Sequence, residues 1–263
     1  MKKLLSLGAV VALILGFMVV LGTPAQAASA CTNLAAVKLG WGAPVLADEF
    51  NYTGKPLSER WGMYNSPGHQ GKGLRSPSAW NVNGSAAVVT GQPNGTTGGM
   101  AMKGSGRTYG KYEVCIRVND RDPKYHPVAL LWPSDRAHYN AKCWEIDFAE
   151  GMGNTEKMNF FNHYGCPTKQ SYASKTVDLR GWHAFALNWS PEGVVGYIDG
   201  VEWFRDTAPS HISNVKMFLA LQLDWFPKSG ESTKTSQMFI DHARVYAAGA
   251  PAPKPSPPPT CPV

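Results

Sequence analysis

Three carboxylates fall within one short run, Cys143-Trp144-Glu145-Ile146-Asp147-Phe148-Ala149-Glu150-Gly151. On a strand, side chains alternate faces, so Glu145 and Asp147 share one face and Trp144, Ile146 and Phe148 take the other. Glu150 has the wrong parity and would point a charge into an apolar layer, where an unpaired charge is very costly. One extra residue at Phe148-Ala149, a β-bulge, returns Glu150 to the carboxylate face, and bulges are over-represented beside active sites. With that bulge, Glu145 and Glu150 sit like residues four apart, with Cα atoms roughly 13 Å apart. Two glutamates leaning together then leave about 5–6 Å between carboxyls, close to the roughly 5–5.5 Å that a retaining glycosidase needs. In that chemistry one glutamate attacks while the other shuttles a proton, and Asp147 between them helps keep the proton donor protonated and can orient the nucleophile. The alternative is a solvated strand face with three incidental acids, but like charges clustered on one face repel one another.

A sugar cleft also needs aromatic rings under sugar faces and short polar side chains on the hydroxyls. The chain has nine tryptophans, so most must be structural. Trp144 faces away from the acids by parity, and Trp189 and Trp203 sit inside strand runs. Trp132 and Trp225 lie at strand ends beside turns and are the two expected to line the cleft. Gln222 shares a face with Asp224 in Leu221-Gln222-Leu223-Asp224-Trp225 and could bind hydroxyls. His163 lies on the next strand, Met158–Tyr164. A regular register puts Asn162 opposite Asp147 and points His163 away, unless the bulge shifts the pairing. His163 is kept as a site candidate on that condition.

The elements that must position these residues are short strands. Tyr109–Val118 alternates clearly, Val128–Trp132 is a buried-strand run, and further strands are expected at His183–Trp189, Val194–Ile198, Val201–Arg205, Met217–Leu223 and Met238–Tyr246. Asp199-Gly200 is a hairpin signal. No long segment holds a helical period. The fold class is therefore all-β, a two-sheet β-sandwich, with its ordered part beginning at Val45–Phe50. Residues 64–104 form a loop-rich stretch of the kind that carries binding residues.

Composition places the chain outside the cell. The 263 residues are 43% hydrophobic and 17% charged, enough for one sizeable β domain. Lys2-Lys3, an uncharged run from Leu4 to Leu21 and small-residue sites up to Ala27 read as a signal peptide over 1–27, the alternative being an uncleaved anchor. The catalytic domain is then 28–247, followed by a Pro-rich tail over 248–263 that reads as an extended spacer. The formal charge is +6; losing Lys2 and Lys3 with the leader leaves +4, spread without any basic run, so nucleic acid is not an expected partner. No membrane association is expected after cleavage, and the mature protein is expected as a secreted, extracellular monomer acting on a polysaccharide.

Five cysteines (31, 115, 143, 166 and 261) include no Cys-x-x-Cys pair, and no histidine stands at zinc-ligand spacing, which excludes a zinc site by motif. Disulfides are the default in an oxidising compartment. If the carboxylate strand and Met158–Tyr164 form a hairpin centred near Asn154, Cys143 and Cys166 face each other and should be bridged. Cys31 with Cys261 is expected to clip the two ends, leaving Cys115 as a buried free thiol. No Gly-x-Ser-x-Gly, His-Glu-x-x-His, phosphate loop or EF-hand is present, so no cofactor is required and no metal is expected at the reacting centre.

The ordered motifs resemble family 16 of the glycoside hydrolases, the laminarinase-like branch of the concanavalin A-like jelly rolls. The centre is Glu145-x-Asp147-x-x-Glu150. Around it come Asp48-Glu49-Phe50, Tyr109-Gly110-Lys111-Tyr112-Glu113, His163-Tyr164-Gly165, Trp182-His183 through Asn188-Trp189-Ser190-Pro191, Tyr197-Ile198-Asp199-Gly200 and Asp241-His242-Ala243-Arg244-Val245-Tyr246. The resemblance implies a retaining, endo-acting enzyme in which Glu145 is the nucleophile, Glu150 the acid/base and Asp147 the assisting acid. It also allows a structural calcium at Asp241, a position that holds one in some relatives. The chain departs from the family pattern at Ala141-Lys142-Cys143-Trp144 and at Leu223-Asp224-Trp225-Phe226-Pro227, both where relatives touch sugar. The expected activity is hydrolysis of internal β-linkages in a β-glucan-like polysaccharide or a related β-galactan. A transglycosylase with the same carboxylates, a non-catalytic carbohydrate-binding jelly roll and a polysaccharide lyase are the alternatives.

Overall fold

A computed structural model of the protein describes residues 29–153, 156–227 and 234–249. The expected leader, the hairpin centre at Asn154, Cys261 and the tail from 250 lie outside the described residues. The chain forms two large antiparallel sheets facing each other, with a small three-stranded sheet beside them. The seven-stranded sheet runs in the order Lys169–Thr176, Lys157–Gly165, Glu145–Gly151, Tyr125–Pro133, Met217–Trp225, Gly99–Met102 and Trp61–Met63. The nine-stranded sheet is built around Gly110–Val118, flanked by His183–Ser190 and Ser236–Tyr246. This is the two-sheet sandwich expected from the pattern of short strands, in the jelly-roll form that the resemblance implies.

Strand alternation makes the core. Tyr112, Val114, Ile116 and Val118 from one sheet meet Leu131, Ile146, Phe148 and Leu221 from the other, all buried in one cluster. Such β-branched and aromatic rows suit a pleated, half-buried surface. The hairpin at Asp199-Gly200 has positive φ at both residues (52° and 68°), the primed turn its sequence calls for. Near the amino end, the buried Asp48 carboxylate accepts hydrogen bonds from the Phe50 amide (3.0 Å), the Tyr52 hydroxyl (2.9 Å) and Trp61 Nε1 (2.8 Å). That satisfies the buried charge and locks the entry strand.

Order begins earlier than Val45. Gly110–Val118 is buried on both faces: Lys111, Glu113 and Cys115 point away from the core yet are covered. The cover is the amino-terminal stretch. Cys31 and Leu34 pack on Cys115 and Ala184, and Ala35 packs on Ala186, Val195 and Tyr197. A turn of helix over Ala35–Lys38 follows, and the Ala36 amide donates to Glu113 Oε2 at 3.1 Å. Ser29 Oγ and the Ala30 amide both donate to Asp241.

The disulfides are Cys143–Cys166, as expected from the hairpin, and Cys31–Cys115. The second corrects two expectations: Cys31 does not pair with Cys261, and Cys115 is not a free thiol. Cys115 is buried because the amino-terminal stretch lies across it, and that same stretch carries its partner.

Candidate active site

The carboxylate strand Glu145–Gly151 is bulged where the parity of Glu150 requires it. Across to Lys157–Gly165, Asp147 lies opposite Phe161 and Glu150 opposite Asn159, so three steps on one strand match two on the other. The opposite edge shows the same shift, with Asp147 facing Leu130 and Glu150 facing Val128. Phe148 and Ala149 at the bulge are both buried in the core. The extra residue thus keeps the apolar layer filled and returns Glu150 to the face of Glu145 and Asp147.

The shift also decides His163. It stands opposite Glu145, with Nε2 3.2 Å from Asp147 Oδ2. Asn162 is turned away instead of facing Asp147, and donates to Asp206 Oδ2 and to the His211 carbonyl, both at 3.2 Å. The regular-register expectation for Asn162 is therefore corrected by the bulge.

Glu145 and Asp147 sit in an environment that favours their protonated forms. Burial first, then the charge of Asp147, holds Glu145 well above the ordinary carboxylate range, while His163 pulls the other way. Asp147 is also pushed up, by burial and by the charges of Glu150 and Asp224, against a side-chain hydrogen bond with Glu145.

The neighbouring strands complete the face. Gln222 lies opposite Val128 and Asp224 opposite His126, and both are buried. Arg75 clamps Asp224 Oδ1 through Nε (3.0 Å) and Nη2 (2.7 Å). Even so, burial keeps the Asp224 carboxyl raised. Trp132 is on this face, stacked on Tyr139 at 4.4 Å. Together with Pro133, Arg136, Asn140 and Phe218 they line a pocket of about 400 Å³. Tyr139 comes from the short helix Arg136–Lys142, whose start is capped by Asp135 accepting from the Ala137 amide. The Cys143–Cys166 bridge ties the end of that helix to the turn after His163.

Trp225 departs from expectation. It has the parity of Leu223 and Leu221, pairs opposite the buried Tyr125, and packs against the core edge. A Cβ at Gly95 would stand 2.3 Å from its ring, so the ring fills a glycine-lined slot rather than the carboxylate face.

Three groups on this face went unread in the sequence. His126 has the parity of Val128, Leu130 and Trp132, but the apolar run hid it by starting two residues later. Phe161 and Tyr172 continue the row through Asp147: Gly62, Ala101, Ala220, Leu130, Asp147, Phe161 and Tyr172 lie opposite one another strand by strand. Tyr172 belongs to Lys169–Thr176, an edge strand so polar that its alternation carries almost no signal.

The surroundings of Asp241 do not suit calcium. Its Oδ2 accepts from Ser29 Oγ (2.9 Å) and lies 2.9 Å from His242 Nδ1, and its Oδ1 accepts from the Ala30 amide (3.2 Å). The third potential ligand there, Cys115 Sγ, is in a disulfide. Calcium takes six to eight oxygens, and among the described residues this group supplies donors instead. No helix among the described residues is long and apolar enough to cross a membrane.

Comparison with known proteins gives the same picture. The model of the family described as glycosyl hydrolases family 16 matches residues 76–244, which includes all three acids. A beta-glucanase of Rhodothermus marinus is 24% identical over 248 residues, covering 77% of this chain and 84% of that protein. An endo-1,3-1,4-beta-glycanase, ExsH, of Rhizobium meliloti (strain 1021) is 25% identical over 80% of this chain, though the match spans only 47% of the larger protein. Among solved structures, the catalytic domain of an endo-1,3-beta-glucanase (laminarinase) from Thermotoga petrophila RKU-1 superposes with a TM-score of 0.69, covering 79% of this chain and 98% of that one at 18% identity. The laminarinase from Rhodothermus marinus gives 0.68, covering 78% and 96% at 19% identity. The two-sheet sandwich, the acids on its seven-stranded sheet and a family match over well over half the chain agree: this protein is a glycoside hydrolase and belongs to family 16.

Proposed function

We propose that the protein is a secreted, endo-acting β-glucan hydrolase that works with retention of anomeric configuration. The bulge that gathers Glu145, Asp147 and Glu150 on one face is the observation that carries this reading. Glu145 attacks the anomeric carbon while Glu150 gives its proton to the departing glycosidic oxygen, forming a glycosyl-enzyme. Water then attacks that carbon, Glu150 takes the water's proton, and Glu145 leaves. Asp147, hydrogen-bonded with Glu145 and beside His163, orients the nucleophile and buffers the charge that moves through the pair. The β-glucan class is supported by the named relatives, and secretion by two disulfides, which persist in oxidising compartments.

The endo mode is supported by the row through Asp147. It crosses the whole sheet over small side chains at Gly62, Ala101 and Ala220, and ends at Tyr172, which is 67% exposed. Six strand spacings make it roughly 29 Å long, room for a polymer passing over the acids. Incubating the enzyme with laminarin, lichenan, xyloglucan, agarose, carrageenan and galactan, with reducing-end detection and proton NMR of the first product, tests the proposal. Cleavage of a β-glucan with the β-anomer appearing first is expected. An α-anomer first, or binding without any cleavage, would overturn it.

Tyr172 and Phe161 (ring centroids 6.2 Å apart) should serve as a sugar platform away from the reacting centre. Tyr172→Ala is expected to weaken kcat/KM on the polysaccharide by about 3- to 10-fold, an aromatic contact of this kind contributing about 0.5–1.5 kcal/mol. Most of that loss should appear in KM. A loss seen equally on the shortest cleavable oligosaccharide would show that Tyr172 acts elsewhere.

A further inference from the structure

One buried polar side chain on the carboxylate face has no part in the chemistry above. His126 is 6% exposed and its Nδ1 lies 3.2 Å from Glu150 Oε1. Its ring is stacked on Phe226 at 4.1 Å and 18°, and Phe226 in turn packs on His69 at 4.3 Å. The Phe226 amide donates to the Lys124 carbonyl at 2.7 Å, which fixes the stacking ring to the start of the His126 strand. The ionisable groups facing the imidazole are Glu150 on one neighbouring strand, Asp224 with its Arg75 clamp on the other, and His69 beyond Phe226. A histidine held on both its ring face and its edge has one available orientation, and it passes that order to the carboxyl it touches.

We propose that His126 is a positioning residue for Glu150, fixing which of its two oxygens carries the proton. With its own proton on Nδ1, His126 donates to Oε1, so Oε1 is the acceptor oxygen and Oε2 bears the proton that goes to the leaving group. In the second step Oε2 receives the proton from water while Oε1 stays bound to Nδ1–H. The imidazole keeps its proton throughout, and no bond to it is made or broken. Without the contact, the glutamate side chain regains its rotamers and presents its proton in several directions, and misplacement of a catalytic group by about 1 Å can cost on the order of 100-fold.

This inference rests on the reading of Glu150 as the acid/base, and the experiment separates the two. His126→Leu and His126→Asn are each compared with wild type on the polysaccharide and on a 2,4-dinitrophenyl β-glycoside of its product oligosaccharide, whose leaving group departs with little help from an acid. His126→Leu is expected to lose about 30-fold or more in kcat/KM on the polysaccharide, and at least tenfold less than that on the dinitrophenyl substrate. Asn places an N–H where Nδ1 stood and should recover most of the loss. Equal losses of His126→Leu on both substrates, or no recovery with Asn in a variant of wild-type melting temperature, would overturn the assignment. Glu150→Ala with azide is the companion measurement. If it shows the same leaving-group bias and yields the β-glycosyl azide, Glu150 is the acid/base, and a failure of the histidine variants then counts against His126 alone. If it does neither, the acid/base reading itself fails.

Discussion

Glu145→Ala is expected to reduce turnover of the polysaccharide by about 10⁴-fold or more, the scale on which removal of a nucleophile acts, and at the same time to raise the melting temperature. The second half follows from the geometry. Glu145 is pressed into a site where burial and the charge of Asp147 hold its pKa up, so its ionised form is a burden on the folded state. A group whose folded pKa lies above its unfolded one binds protons more tightly when folded. Its contribution to stability is full below the ordinary carboxylate range and is lost as pH rises through the raised folded value. Wild type should therefore lose stability on going from acid towards neutral pH across that window, and Glu145→Ala should flatten the loss. Adding azide to the variant with an activated glycoside should give the anomerically inverted azide, the counterpart of the outcome at Glu150. A variant keeping more than a tenth of wild-type turnover would remove Glu145 from its role, and one melting well below wild type at pH 7 would overturn the stability half of the expectation.

Replacing Cys31 and Cys115 together by alanine should cost about 4–5 kcal/mol. The two are 84 residues apart in sequence, and a cross-link closing a loop of that size stabilises chiefly by restricting the unfolded chain. For a domain of this size the melting temperature should fall by about 10 °C or more, read by calorimetry on the oxidised wild type and the double variant side by side. A fall below about 2 °C would mean that the packing of Leu34 and Ala35 alone holds the amino-terminal stretch in place. The Cys143–Cys166 bridge closes a shorter loop, 23 residues, and should contribute less to global stability. Its larger effect should be local, at the helix that carries Tyr139.

What could be read from the sequence divides along a physical line. The bulge was legible because an ionised glutamate on the wrong face is costly enough to forbid the regular strand, so parity alone locates the extra residue. The Cys143–Cys166 pairing was legible because a hairpin with short arms brings its flanks together. His163 was legible only conditionally: the pairing on the far side of a bulge shifts, and the sequence does not state the size of that shift. Cys31 with Cys115 was not legible. A strand covered on both faces alternates no differently from one covered on a single face, and nothing in Gly110–Val118 announces the stretch lying across it. Trp225 was misplaced for a similar reason, since a strand-end tryptophan can turn to either face. Here the glycines at 73 and 95 supply the slot. The edge strand Lys169–Thr176 was missed because its side chains are mostly solvated, which erases the periodicity that reveals inner strands.

The seat of the amino-terminal stretch has a consequence for how the protein is made. Ser29 reaches Asp241 across 212 positions of chain, and the strand carrying Asp241 lies in the middle of its sheet, hydrogen-bonded to both Gly110–Val118 and Ala87–Gly91. Although Leu34 and Ala35 rest on strands made earlier, the seat of Ser29 is complete only once the strand carrying Asp241 has been made. Non-local pairing of this kind slows folding, and the incomplete chain leaves sheet edges exposed meanwhile. The contact of Ser29 with Asp241 therefore belongs to the last stage of assembly, when Ser236–Tyr246 takes its place between Gly110–Val118 and Ala87–Gly91.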